Sequence, residues 1–123
     1  MKKVVVADDT ALTRATYVDV LGTVCPGVPV DEVATGRDLV AYVLGEDPSV
    51  VFSDMAMETR DAGLVALRAI RGAENNVPFY ILSSDDVGKA ALENGATGFY
   101  RKTDGNLIGF MKGVASQYLS GAE

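Results

Sequence analysis

The sequence contains no histidine, and a large part of enzyme chemistry goes with that residue. Histidine-based triads, imidazole acid–base steps and most transition-metal sites cannot be built from this chain. Its single cysteine, Cys25, has no partner for an internal disulfide, and one thiol without histidine does not make a structural zinc site. Long apolar runs are missing too. The N-terminus passes from Lys2–Lys3 through Val4–Ala7 into two aspartates, too short for a signal-peptide core, and no stretch reaches the length of a membrane span. These absences set the expectation of a cytoplasmic protein in a reducing compartment, with no membrane partner. No run of positive charge appears beyond Lys2–Lys3 and Arg101–Lys102, and the formal net charge is −6. Nucleic acid and anionic lipid are therefore poor partners. Carboxylates, hydroxyls, lysines and backbone remain to do the work.

The 123 residues suit one compact domain, so a single domain over 1–123 with one core is expected. Apolar residues make up 48% and charged residues 23%, the balance of a folded globular chain. Short apolar runs alternate with helical periodicity. Val4–Ala7 reads as a strand buried on both faces, ending at Asp8–Asp9. Helical spacing follows from Thr10, with Ala11, Ala15, Val18 and Leu21 on one stripe and Gly22 as the stop. Residues 28–34 offer a second strand and 37–44 a short helix. A third strand, 50–53, ends on Asp54, and after a loop to Gly63 a helix carries Leu64, Leu67 and Ile70 in register. Residues 79–82 form the fourth strand, ending on Ser83–Ser84, and 89–94 a short helix closed by Gly95. The fifth strand, 98–101, runs into Lys102. A last helix over about 105–119 sets Leu107, Met111, Val114 and Tyr118 on one face, before a frayed tail. Strands interleaved with helices imply right-handed βαβ units and a parallel sheet covered on both faces.

The polar residues that interrupt this pattern share one location. Asp8, Asp9, Asp54, Ser83 and Lys102 all fall at the C-terminal ends of expected strands, the edge where open α/β sheets bind ligands. Three converging carboxylates repel one another unless a hard cation such as Mg²⁺ neutralises them. A lysine and a hydroxyl opposite that cation would complete a binding site for a transferring phosphoryl group. One carboxylate is then free to act as nucleophile. Each residue also has a plainer reading. Asp8 or Asp9 could cap the first helix, Asp54 could sit in an ordinary turn, and Lys102 could be a solvated surface lysine. Cys25 reads as a packing residue, and Met55, Met57 and Met111 as gap-fillers.

The runs VVVADDT, VVFSDMAM, FYILSSD and GATGFYRKT, in that order, resemble the receiver domain of two-component response regulators over essentially the whole chain. The resemblance implies a flavodoxin-like (βα)5 three-layer sandwich with a five-stranded parallel sheet in the order 2-1-3-4-5. It makes Asp54 the phospho-acceptor, Asp9 a direct metal ligand and Asp8 a ligand through water. Ala56 stands where the family offers a backbone carbonyl to the metal, which would be Mg²⁺ or Mn²⁺. Ser83 matches the hydroxyl that moves toward the phosphoryl group, and Lys102 the lysine that binds its oxygen. Phe99 matches the switch aromatic, against the plainer reading of a core ring, and Tyr100 is equally ambiguous. The implied function is that of a stand-alone receiver in a phosphorelay, catalysing its own acylation and its own dephosphorylation. Its donor would be a histidine kinase or a histidine phosphotransfer protein, and its output an unidentified protein, with the receiver a monomer or weak homodimer.

The sequence departs from the family in three places. Thr103 replaces the usual proline after Lys102, so a trans bond is expected there. Glu58 replaces a common proline after Asp54, and is expected to point into solvent or to meet a metal-bound water. Ser83 and Lys102 stand nineteen positions apart, which shortens the fourth helix by roughly a turn. Competing readings are a pseudo-receiver acting only as an interaction module, and a haloacid-dehalogenase-type phosphatase. The second lacks its D-x-D motif at Asp54–Met55–Ala56. An FMN site is disfavoured because Asp8–Asp9 would repel the phosphate.

Overall fold

Buried β-branched and aromatic runs too short for helices become strands, and the amphipathic stretches between them cross over as helices. The computed structural model describes residues 2–119. In chain order the elements are β1 (Val4–Ala7), α1 (Ala11–Val24), β2 (Val30–Val33), α2 (Gly36–Glu46) and β3 (Val50–Asp54). They continue with α3 (Ala62–Gly72), β4 (Phe79–Ser83), α4 (Gly88–Glu93), β5 (Gly98–Arg101), a 3-10 turn (Lys102–Asp104) and α5 (Leu107–Tyr118). The sheet is parallel throughout, in the order β2-β1-β3-β4-β5.

Alternation along the strands divides the core in two. Val5, Ala7, Val51, Phe79 and Ile81 face one side, where Leu39, Val43, Leu67, Ile70 and Ala91 from α2, α3 and α4 cover them. Val4, Val6, Val50, Phe52, Tyr80 and Leu82 face the other, under Tyr17 and Leu21 of α1 and Met111, Val114 and Ala115 of α5. The result is the expected three-layer sandwich with its short fourth helix. Because β1 lies between β2 and β3, the strand order reverses at its C-terminal end.

Several boundaries differ from the sequence reading. Gly22 does not stop α1, which runs on to Val24 and ends at Cys25, whose N–H donates to Leu21 O at 2.9 Å, just before Pro26. Its buried stripe is also turned, because Tyr17 and Leu21 face the core while Ala11 and Ala15 are exposed. β2 starts at Val30 rather than 28, since the Val28 N–H turns back to Cys25 O at 3.2 Å. α5 starts after Gly105, whose φ of 84° breaks the chain direction, and Asn106 caps it by accepting from Gly109 N–H. The expected frayed tail lies outside the described residues.

Candidate functional site

Strand register assembles the site. Ala7 pairs with Ser53 across β1 and β3, so Asp8 and Asp54 emerge side by side. Ser83 pairs with Arg101 across β4 and β5, which delivers Lys102 to the same edge. Asp8, Asp9 and Asp54 each place one carboxylate oxygen within 4.8 Å of the others. All five strand-end residues singled out from the sequence lie along this edge, and four of them, Asp8, Asp9, Asp54 and Lys102, converge.

Asp8 is buried, and its Oδ1 accepts from Thr10 N–H at 2.8 Å. Its Oδ2 is buried with no hydrogen-bond partner among the described residues, and Lys102 Nζ stands 3.7 Å away. Asp54 Oδ1 accepts from Met55 N–H at 2.9 Å and lies 3.2 Å from the same Nζ. Asp9 is exposed, as an ion ligand open to incoming solvent would be. The helix-cap reading is not met: Thr10 is the N-cap of α1 and no side chain caps its first turn, while Asp8 Oδ1 makes a local turn with the Thr10 N–H.

One ammonium cannot balance three carboxylates. Burial raises the Asp54 carboxyl; Lys102 opposes that shift, Asp8 adds to it, and the result is pushed up to about 6 from 3.8. Burial would favour a neutral Lys102 amine, but Tyr17 and Asp54 outweigh it and hold the ammonium above its ordinary range. A group with a raised carboxyl pKa binds its proton more tightly when folded, so stability falls as pH rises from 3.8 to about 6. Asp54→Asn removes that penalty and leaves Lys102 paired with Asp8. In chelator at neutral pH this variant is expected to be more stable than wild type by about 1–2 kcal/mol, after discounting for solvent at the carboxylate. Urea unfolding checks this, and a less stable variant would contradict the charge imbalance. The orphaned Asp8 oxygen, the surplus negative charge and the all-oxygen donor set together fit a hard divalent cation.

The remaining residues take more specific positions. Ser83 is buried, and its Oγ accepts from Asp85 N–H at 3.1 Å. Phe99 is half-buried beside Ile81 and packs on the α3–α4 side of the sheet. Gly88 leaves room for its ring, since a Cβ there would come within 2.9 Å of it. Tyr100 belongs to the opposite core layer, stacked on Phe110 with its hydroxyl accepting from Asn106 N–H at 2.6 Å. Ala56 is exposed between Met55 and Met57, both buried. Peptide bonds among the described residues are all trans, including that before Thr103.

Glu58 corrects the sequence reading. It neither points free into solvent nor reaches toward the carboxylates. Its Oε1 accepts from Gly36 N–H at 2.7 Å and its Oε2 from Arg37 N–H at 3.0 Å. Burial works against its charge, but the N–H groups of Gly36, Glu58 itself and Arg37 outweigh that and lower its pKa. Two contributors to the site are not assigned to it by the sequence. Tyr17 lies beneath the site with Lys102 Nζ 5.9 Å from its ring centroid, and its spacing of four from Leu21 was the available signal. Gly63 lets α3 start against the acceptor strand, because a Cβ there would fall 2.3 Å from Asp54 O.

A sequence model of the response regulator receiver domain matches residues 4–107. The chain belongs to that family. The acidic pocket of Asp8, Asp9 and Asp54 fits the phosphorylation site of a receiver of this type. Among curated proteins, the receiver is 33% identical over 118 residues to protein-glutamate methylesterase/protein-glutamine glutaminase 3 of Vibrio cholerae, covering 92% of this chain and 32% of that protein. The chain thus spans about a third of the length of the curated relatives it matches. Among solved structures, the chemotaxis response regulator CheY4 of Vibrio cholerae superposes with a TM-score of 0.80 at 22% identity, over 97% of this chain and 99% of that one. The receiver domain of sensor histidine kinase PA1611 from Pseudomonas aeruginosa gives 0.79 at 19%, over 95% and 96%, and that structure has a magnesium ion coordinated in its active site cleft. No helix among the described residues is long and apolar enough to cross a membrane.

Proposed function

We propose that Asp54 accepts a phosphoryl group and that residues 1–123 form one receiver domain that acts as a phosphorylation switch. The observation that carries the reading is Lys102 Nζ seated 3.2 Å from Asp54 and 3.7 Å from the unpartnered oxygen of Asp8. Such a site is built to exchange an internal ion pair for contacts to an incoming phosphate. Asp9, Asp54 and the Ala56 carbonyl would hold Mg²⁺ directly, with Asp8 holding it through water, and Mn²⁺ is the ion most able to replace it. When bound, that ion neutralises charge on the carboxylates and the phosphoryl oxygens.

The chain's own groups do the rest. An Asp54 carboxylate oxygen attacks phosphorus in line as the bond to the donor's histidine nitrogen breaks, and that nitrogen leaves with the electron pair. Lys102, already partly desolvated, keeps its charge and shifts from Asp54 to a phosphoryl oxygen. Ser83 accepts from Asp85 N–H, so its own hydroxyl proton is free to be donated to a second phosphoryl oxygen. Motion of Ser83 would be felt by Phe99, whose neighbour Ile81 sits two residues away on the same strand. Water attack on the acyl phosphate returns the receiver to its resting state.

The donor is a histidine kinase or a histidine phosphotransfer protein, and the output is another protein whose affinity follows the phosphoryl group. Net acidity disfavours nucleic acid and membrane surfaces as partners. Cytoplasmic residence as a monomer or weak homodimer is consistent with this role. Incubation with acetyl phosphate and Mg²⁺, followed by intact mass measurement, is expected to show one added phosphate, lost when chelator replaces the metal. Absence of any adduct would favour a pseudo-receiver that works by binding alone.

A further inference from the structure

The loop from 55 to 61 carries Ala56 and has several holds on the body of the protein. Met55 and Met57 are buried in the core, and Gly63 N–H donates to Met55 O at 2.7 Å. Glu58 reaches from the loop to a neighbouring element. Its two carboxylate oxygens accept from the first two amides of α2, those of Gly36 and Arg37. Amides in a helix's first turn lack intrahelical partners, and a negative charge is favoured beside them. Thr35 takes a third, Asp38 N–H, at 3.0 Å. The approach is close, since a Cβ on Gly36 would fall 2.8 Å from Ala62 O.

We infer that Glu58 is a positioning residue for phosphoryl transfer, clamping the loop that carries the Ala56 carbonyl to the N-terminus of α2. This rests on the proposal that Ala56 and the aspartates hold Mg²⁺. The clamp engages both oxygens, so the charge of Glu58 lies beside the α2 amides rather than being added to Asp8, Asp9 and Asp54. A glutamine at 58 can accept from only one of the two amides and turns its own NH₂ toward the other. The clamp should therefore weaken in the order glutamate, glutamine, alanine.

The test measures Mg²⁺ affinity by calorimetry and exchange of the Gly36 and Arg37 amides by NMR, in wild type, Glu58→Gln, Glu58→Ala, Thr35→Ala and Asp9→Ala. Glu58→Ala should weaken Mg²⁺ binding about tenfold or more, the range for groups that orient ligands, and speed exchange at both amides. Glu58→Gln should fall between, and it supplies the reading if the alanine variant does not fold. Thr35→Ala frays the same helix end without touching the loop, and should leave Mg²⁺ affinity unchanged. Unaltered affinity in both Glu58 variants while Asp9→Ala loses binding would overturn the clamp alone. An equal loss in Thr35→Ala would reduce Glu58 to a helix cap. Failure of wild type to bind Mg²⁺, or full binding by Asp9→Ala, would overturn the metal reading and the clamp with it.

Discussion

Asp9→Ala is expected to weaken Mg²⁺ binding by more than about 100-fold, beyond the loss that follows removal of an outer partner, and to end phosphorylation from acetyl phosphate. The effect is electrostatic. Asp8 is buried and partly committed to Thr10 N–H, and Asp54 is shared with Lys102, whereas Asp9 is exposed and accepts only a long 3.4 Å contact from Thr10 Oγ1. It is the carboxylate most free to turn toward an ion. With it gone, Asp8 and Asp54 are left with one positive neighbour, Lys102, which is enough to balance about one of them and so weakens the demand for a cation. Calorimetry and intact mass read the two effects separately. Unchanged Mg²⁺ affinity would remove Asp9 from the metal site.

Lys102→Ala should behave in the opposite way. The ammonium and a metal compete for the same Asp54 oxygens, so its removal is expected to leave Mg²⁺ binding as tight as wild type or tighter. The rate of phosphorylation should nevertheless fall by about 10²–10³-fold, the usual cost of deleting one preorganised group that stabilises developing charge. A stopped time course of intact mass at saturating Mg²⁺ gives that rate. Phosphorylation at the wild-type rate would show that Lys102 is only a counter-ion of the resting state. Together the two variants separate metal binding from phosphoryl stabilisation.

The sheet and the site were legible for one physical reason. Strands buried on both faces must be apolar throughout, so each polar residue at a strand end stands out, and parallel topology brings all such ends to one edge. Asp8 and Asp54 could be found in this way because they close the buried runs Val4–Ala7 and Val50–Ser53, and Lys102 because it follows the end of β5 at Arg101. What could not be read depends on contacts between segments distant in sequence. Glu58 is an ordinary loop acid until α2 is seen to begin beside it, 22 positions away. Gly63 looks like a helix start, and only the nearness of Asp54 O explains why it has no side chain. The phase of α1 was misjudged because alanine fits an exposed or a buried face equally well, while Tyr17 carried a polar hydroxyl that disguised a core position.

The short α4 sharpens the question of output. It has six residues, begins at Gly88 beside the Phe99 ring, and shares a core cluster with that ring through Ala91, so movement of Phe99 would bear on α4. The clamp at Glu58 gives the other side of the site a firmer mechanical link, to α2.

If Asp54 carries the phosphoryl group, the adduct can be located on it. After incubation with acetyl phosphate and Mg²⁺, borohydride reduction converts an aspartyl phosphate to homoserine, which peptide mass spectrometry can place. Homoserine at position 54, and nowhere else, with none formed in Asp54→Asn, is the predicted result. Homoserine at position 8 or 9, or an undiminished phosphate adduct in Asp54→Asn, would contradict it.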